Sequence, residues 1–232
     1  TNDKAVVQLL SMPEFISTAT LTLTLKKSSN NQTLLTQTKE LTVKNANVIM
    51  TKDTNPAVMA IMFAKGLAAN ENYMTKAEAQ AVTDGTFNPS GTQSGSIFYN
   101  NTNITSFDEL KHFTGMTTLD AYAFYGCINL ASLKVPSTIV NFGAYCCYRN
   151  SNFVNLTIDE ITVETVASYA FYSYSNTASQ ITINKVNWRC TETCSSSRTN
   201  LFRYTIINQL NVYDLSAGYT SSSSSTYQHF YY

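Results

Sequence analysis

Three rows decide the fold: LDAYAFYGCINLASLKVP at residues 119–136, FGAYCCYRNSNFVNLTID at 142–159 and VASYAFYSYSNTASQITIN at 166–184. Offset by 23 and then 24 residues, they align Leu119 with Phe142 and Val166, and Tyr122 with Tyr145 and Tyr169. Phe124, Cys147 and Phe171 follow in one column, Tyr125, Tyr148 and Tyr172 in the next. A period in the twenties is the mark of one supersecondary unit stacked on copies of itself. Each row closes on a short alternation, Leu133-Lys134-Val135, Leu156-Thr157-Ile158 or Ile181-Thr182-Ile183, whose period of two puts the apolar residues on one face of a strand. Stacked strands make a parallel sheet, so Leu133, Leu156 and Ile181 are expected to lie one above the next. A single row cannot bury its apolar columns alone, so the rows must form together.

The outward positions of that ladder are Ser132 and Lys134, Asn155 and Thr157, Gln180 and Thr182, and, from a fourth and longer turn with a strand at 210–212, Asn211 and Tyr213. Short polar groups on a rigid sheet are how solenoids meet partners, which makes these eight the candidate binding residues. The plainer reading is that they only keep the face wetted. The two tyrosine columns likewise read either as exposed stacking strips or as a half-buried spine.

The wording of the first row resembles the BspA-like leucine-rich repeat, whose unit runs Ala-Phe-x-x-Cys-x-x-Leu-x-x-Leu/Ile-x-Ile/Val-Pro. Ala123, Phe124, Cys127, Leu130, Leu133, Val135 and Pro136 match it, and the third row keeps Ala170 and Phe171. The resemblance implies a leucine-rich-repeat solenoid in a bacterial surface or secreted protein, an extracellular setting, and binding or adhesion to a protein or glycan. The alternative it leaves open is a structural spacer of a larger surface protein with no ligand of its own.

Upstream, Leu21, Leu23 and Leu25 alternate with threonine, a polar turn covers 28–31, and 41–43 and 48–50 resume extended character, so residues 1–54 read as a small β segment. At 55–103 the period changes. Asn55 is the expected cap of a helix that begins at Pro56 and is stopped by Gly66, and Thr75-Lys-Ala-Glu78 is a capping box for a second helix. This helix-loop-helix also resembles the EF-hand-like segment found before such repeats. With Glu78 as twelfth ligand, positions 1, 3 and 5 fall on Leu67, Ala69 and Glu71 and the sixth is Asn72, so two oxygen ligands are lost and no metal is expected. Residues 85–103 read as a loop with one short strand at 96–99. Ser106-Phe-Asp-Glu109 reads as a capping box opening a helix to Phe113, which covers the open end of a repeat domain at 104–232. The expected fold is therefore α+β: a β segment and a helix-loop-helix, then a solenoid of three to four turns.

Chemistry is sparse. Fifteen basic and fifteen acidic residues cancel, which argues against a nucleic-acid partner. The longest apolar run, 57–64, is too short to span a bilayer, and the first residues read as the start of a mature or excised domain rather than a signal peptide. There is no GxSxG, Walker, GxGxxG or HExxH motif, no cofactor is called for, and the only histidines are His112 and His229. Asp108-Glu109 and Asp159-Glu160 read as cap and turn residues rather than a glycosidase pair, and the expected class is not an enzyme. Five cysteines leave at least one thiol unpaired. Cys190 and Cys194 pair only if the chain turns between them, since four extended residues separate Cα atoms by roughly 13 Å. The run at 221–226 reads as a polar loop, and the aromatic end at 227–232 as either a cap on the last turn or a disordered tail.

Overall fold

The structure, a computed structural model, describes residues 17–26, 30, 33–43, 47–148, 154–173, 180–189, 201–202 and 204–213. Two compact units divide the chain, Thr1–Val48 and Ile49–Tyr232. In the first, β1 (Ser17–Lys26) and β2 (Thr33–Val43) form an antiparallel hairpin in register from Ser17 opposite Val43 to Leu25 opposite Leu35. The threonine-rich alternation of β1 suits a pleated ribbon.

The second unit opens within β3 (Val48–Thr51), at its second residue, and continues through α1 (Pro56–Ala64), β4 (Tyr73–Thr75), which pairs with β3, and α2 (Lys76–Ala81). Glu78 and Thr75 form the expected capping box. The Thr75 amide and hydroxyl each donate to the Glu78 carboxylate at 2.7 Å, and the Glu78 amide donates back to the Thr75 hydroxyl at 3.3 Å. Asn55 is not the expected side-chain cap. Its amide nitrogen donates instead to the Ser106 carbonyl and to Glu109, both at 3.0 Å, and so ties α1 to the first repeat strand.

Beyond this lies a parallel β-solenoid of about three turns. Its main sheet runs in the order β12-β11-β9-β7-β5, from β5 (Ser106–Phe107), β7 (Ser132–Leu133), β9 (Leu156–Val163), β11 (Ile181–Trp188) and β12 (Thr205–Ile207), with β13 (Leu210–Val212) pairing the far half of β11. A second sheet stacks β6 (Thr118–Leu119), β8 (Asn141–Phe142) and β10 (Thr165–Val166). It carries the expected column Leu119, Phe142, Val166 in register. Between the two sheets, backbone bonds also link rows at the turns: Tyr122 N–H donates to the Ala144 carbonyl, Phe124 to Cys146, Cys147 to Ala170, and Phe171 to Leu201. Rows approach so closely that a Cβ on Gly143 would sit 2.3 Å from the Ala121 amide.

Two expectations are corrected at the front of the stack. The 96–99 segment is a turn, not a strand, and 106–113 is β5 followed by a 3-10 helix (Asp108–His112) with no side-chain cap bond. Together they make an additional repeat row. Phe98 stacks on Phe124 at 5.1 Å, Tyr99 on Tyr125 at 5.9 Å, and Phe107 aligns with Leu133. Asn100 (φ 50°) fills the left-handed position that Gly126 (φ 73°) holds one row on, and a Cβ on Gly126 would strike the Asn100 side chain. Phe87, Phe98, Phe107, Phe113 and Phe124 then close this end of the core through edge and stacked contacts of 5.0–6.4 Å.

Register within the main sheet departs from expectation by two residues where the first row meets the second, and agrees with it where the second meets the third. Leu133 lies against Ile158, which lies against Ile183 and then Ile207, whereas Leu156 is matched with Ile181. The two extra residues of the second row sit between its tyrosine turn and its strand. A slip of two preserves which side chains face inward, so burial alone does not oppose it. Leu133, Leu156, Ile158, Ile181 and Ile183 are all fully buried.

Candidate functional site

Ser132, Thr157 and Thr182 share one outward column, flanked by Ser106 and Ile206. Asn155 and Gln180 sit beside it, the Asn155 side chain accepting the Gln180 amide at 2.9 Å. Lys134 lies one position beyond Leu133, between Asp108 (3.8 Å) and Asp159 (3.4 Å) of the rows on either side, and the Ser132 hydroxyl donates to Asp108. Thus six of the eight candidates are brought onto one panel. Asn211 and Tyr213 are not its fourth row, because the strand that continues the Thr157–Thr182 column is β12. On β13, Asn211 faces Asn187 and donates to its side-chain oxygen at 2.9 Å, while the Tyr213 hydroxyl bonds the same atom at 3.4 Å. Arg189 lies 4.9 Å over the Tyr213 ring, completing a neighbouring panel.

β9 turns between these panels at Asp159 and Glu160, two outward residues in succession between buried Ile158 and Ile161. Asp159 and Glu160 thus lie within a strand rather than at the cap or turn expected of them, and beside them sit Lys185, Asn187, Asn184 and Asn208, which the sequence reading did not assign. Glu160 pairs with Lys185 at 2.9 Å and accepts from Asn187 at 2.6 Å, and Asn208 donates to Asn184 at 2.9 Å. The hydrogen bonds from Lys185 and then Asn187 hold the Glu160 carboxyl below its ordinary value, and the bond to Glu160 holds Lys185 above its own. The signal was legible only in the correct register. One position after Phe107, Leu133, Ile158 and Ile183 come Asp108, Lys134, Asp159 and Asn184, a column of alternating charge that ends in an asparagine rung. Such exposed pairs contribute about 0–1 kcal/mol each, so they set alignment more than stability.

The tyrosine columns are both half-buried and continuous. Tyr122, Tyr145 and Tyr169 stack at 5.2 and 5.0 Å with planes within 8°. Tyr99, Tyr125, Tyr148 and Tyr172 stack at 5.9, 5.2 and 5.2 Å. Within each row the two columns meet edge to face at 5.4–5.8 Å. Tyr122, Tyr145 and Tyr169 all take left-handed backbone conformations, with φ of 59°, 57° and 61°. That conformation costs a side-chain-bearing residue roughly 1–2 kcal/mol, and each ring stack returns about 0.5–1.5 kcal/mol. Burial, then the neighbouring Tyr169, Tyr122 and Tyr125, pushes the Tyr145 hydroxyl above its ordinary pKa.

Other reactive groups are committed locally. Glu78 also accepts the Ala69 amide at 2.7 Å, so the carboxylate that an EF-hand would offer a cation is spent on the backbone of its own loop. Among the described residues no group of three His, Cys, Asp or Glu could hold a metal ion, and no helix is long and apolar enough to cross a membrane. His112 is half-buried, and burial followed by Lys111 and Lys76 lowers its pKa. Cys127, Cys146 and Cys147 are buried, the Cys127 thiol donating to the Phe98 carbonyl at 3.1 Å. Cys190, Cys194, His229 and the segments 221–226 and 227–232 lie outside the described residues.

A family model, the BspA type leucine rich repeat region, matches residues 92–224 in six copies. No curated protein and no solved structure matches the chain.

Proposed function

We propose, since this chain belongs to the BspA type leucine-rich repeat family, that it is a non-enzymatic binding or adhesion module of a bacterial surface or secreted protein. It recognises a protein or glycan partner through the outward face of the main sheet. The observation that carries the reading is the register-locked column Ser132, Thr157, Thr182, bordered by Asn155, Gln180 and Lys134. Rigid backbone holds these short polar groups at strand spacing, so a partner meets them without ordering them first. Asn211 and Tyr213 extend the surface on the adjoining panel.

The competing reading is a rigid spacer without a ligand. Its support is that several of these groups already bond one another along the stack: Ser132 to Asp108, Asn155 to Gln180, Asn211 to Asn187. Capture from host-surface extracts and glycan arrays, run with the intact chain and with Thr157→Ala/Thr182→Ala, separates the two. A partner that the double variant fails to retain supports the binding module. Capture of nothing by the intact chain supports the spacer.

A further inference from the structure

The double tyrosine ladder is a surface the sheet-face reading does not use. Seven rings, from Tyr99 to Tyr172, form two columns of three and four with steps of 5.0–5.2 Å in the repeat rows and 5.9 Å at the first. All seven are half-exposed, and neither column contains a charged residue. Because ring faces are occupied by the ring above and below, a ligand can meet the strip only through ring edges and phenol hydroxyls. Each hydroxyl both donates and accepts. Three rungs hold tyrosine in left-handed backbone, where glycine or asparagine would rest without strain. Stacking offsets that strain, but phenylalanine would stack equally well, so ring contacts alone do not select a phenol hydroxyl there.

We propose that this strip is a binding site for an extended, uncharged polysaccharide whose sugars are joined by equatorial 1,4 linkages, lying along the solenoid axis. Three features select that occupant. The strip is neutral, which gives no advantage to polyanions or basic peptides. Its hydroxyls are suited to exchanging hydrogen bonds with vicinal diols. Its step also matches a flat pyranose chain, which advances one ring length per sugar. An extended peptide repeats every two residues, roughly 6.7 Å, and leaves register within a few rungs. The inference rests on the reading of the chain as a binding module but assigns the ligand to a different face.

Isothermal titration with cellohexaose, chitohexaose and the axially linked maltohexaose tests it, on the full chain and on Tyr122→Phe/Tyr125→Phe/Tyr145→Phe, with Tyr145→Phe alone as a milder variant. Phenylalanine keeps the stacks and removes the hydroxyls. The expected result is binding of cellohexaose, chitohexaose or both, at least tenfold tighter than maltohexaose. The triple variant should weaken it about tenfold or more at an unchanged melting temperature, and Thr157→Ala/Thr182→Ala should leave it intact. Response to cellohexaose alone assigns a glucan, and to chitohexaose alone an N-acetylated chain. No binding of either, equal binding of maltohexaose, or a triple variant that binds like wild type overturns the proposal. Loss with the threonine variant but not the tyrosine variant returns the ligand to the sheet face, overturning this site and sparing the earlier reading. A dimer in sedimentation that the tyrosine variant dissolves puts a second copy on the strip and likewise overturns it.

Discussion

Replacing Ile158 by alanine strikes the stack at its centre. The side chain is fully buried on β9, between Leu133 of the row before and Ile183 of the row after, so its loss is felt at two row interfaces. Removing three carbons at about 0.8 kcal/mol each gives roughly 2.4 kcal/mol of lost transfer energy. The rows on both sides hold the backbone apart, so a cavity term adds to this, for a total of about 3 kcal/mol, within the range known for such truncations. In a chain of this size that is a fall in Tm of roughly 6–12 °C. Ile206→Ala, on the outward side of β12 at 42% exposure, serves as the comparison and should move stability by less than about 0.5 kcal/mol. Differential scanning calorimetry on the two variants decides the matter. An Ile158→Ala protein melting within about 2 °C of wild type, or an Ile206→Ala protein equally damaged, would refute the reasoning.

Asp120, buried at the second sheet, accepts the amides of Gly85, Phe87 and Asn88 at 2.9, 2.9 and 3.2 Å. Asp120→Ala strands these donors and should cost about 3 kcal/mol or more in chemical denaturation, with a changed near-ultraviolet signal from the Phe87 cluster. Burial works against ionisation of Asp84, but its hydrogen bonds from Thr117 and Thr118 outweigh it and hold the carboxyl below its ordinary value. Its contribution is therefore present above the unfolded carboxylate pKa and lost as pH falls through the folded one, so Asp84→Asn should flatten the acid limb of a stability–pH curve. Tyr145 has the opposite sense. Its raised pKa means the unfolded chain releases that proton first, so stability falls as pH climbs through the tyrosine range, and absorbance titration should reveal a late-ionising phenol that Tyr145→Phe removes.

The rows that repeat aromatic residues were the legible part of the sequence, because Leu119, Phe142, Val166 and the tyrosines keep a nearly constant spacing around a tight turn. Strand register was not legible, since the second row carries two residues more than the first between its tyrosines and its strand, and a two-residue slip leaves every apolar side chain inside. The short pairs β6, β8 and β10 offer too few residues for an alternation to be read. The first row escaped notice because Ser96-Ile-Phe-Tyr-Asn-Asn lacks the small residue before the aromatic and replaces Gly126 with Asn100. The match to the family begins at residue 92, ahead of that row. Asp108-Glu109 imitates a helix cap in sequence, yet Ser106 and Phe107 are held as a strand by β7, a tertiary pairing that overrides the local signal. Of the candidate site, the polar character of the face was readable, while its charge column and the separation of Asn211 from Thr182 depended on the register.

Disulfide trapping between rows tests that register most directly. In parallel strands Ser132 and Thr157 face each other, which puts their Cα atoms at roughly 4.8 Å, within reach of an S–S bond, whereas Ser132 and Asn155 are offset by two residues to roughly 8 Å, beyond it. Under mild oxidation, peptide mapping should find the cross-link in Ser132→Cys/Thr157→Cys and not in Ser132→Cys/Asn155→Cys. The reverse pattern, or no bridge in either, would contradict the stack as described.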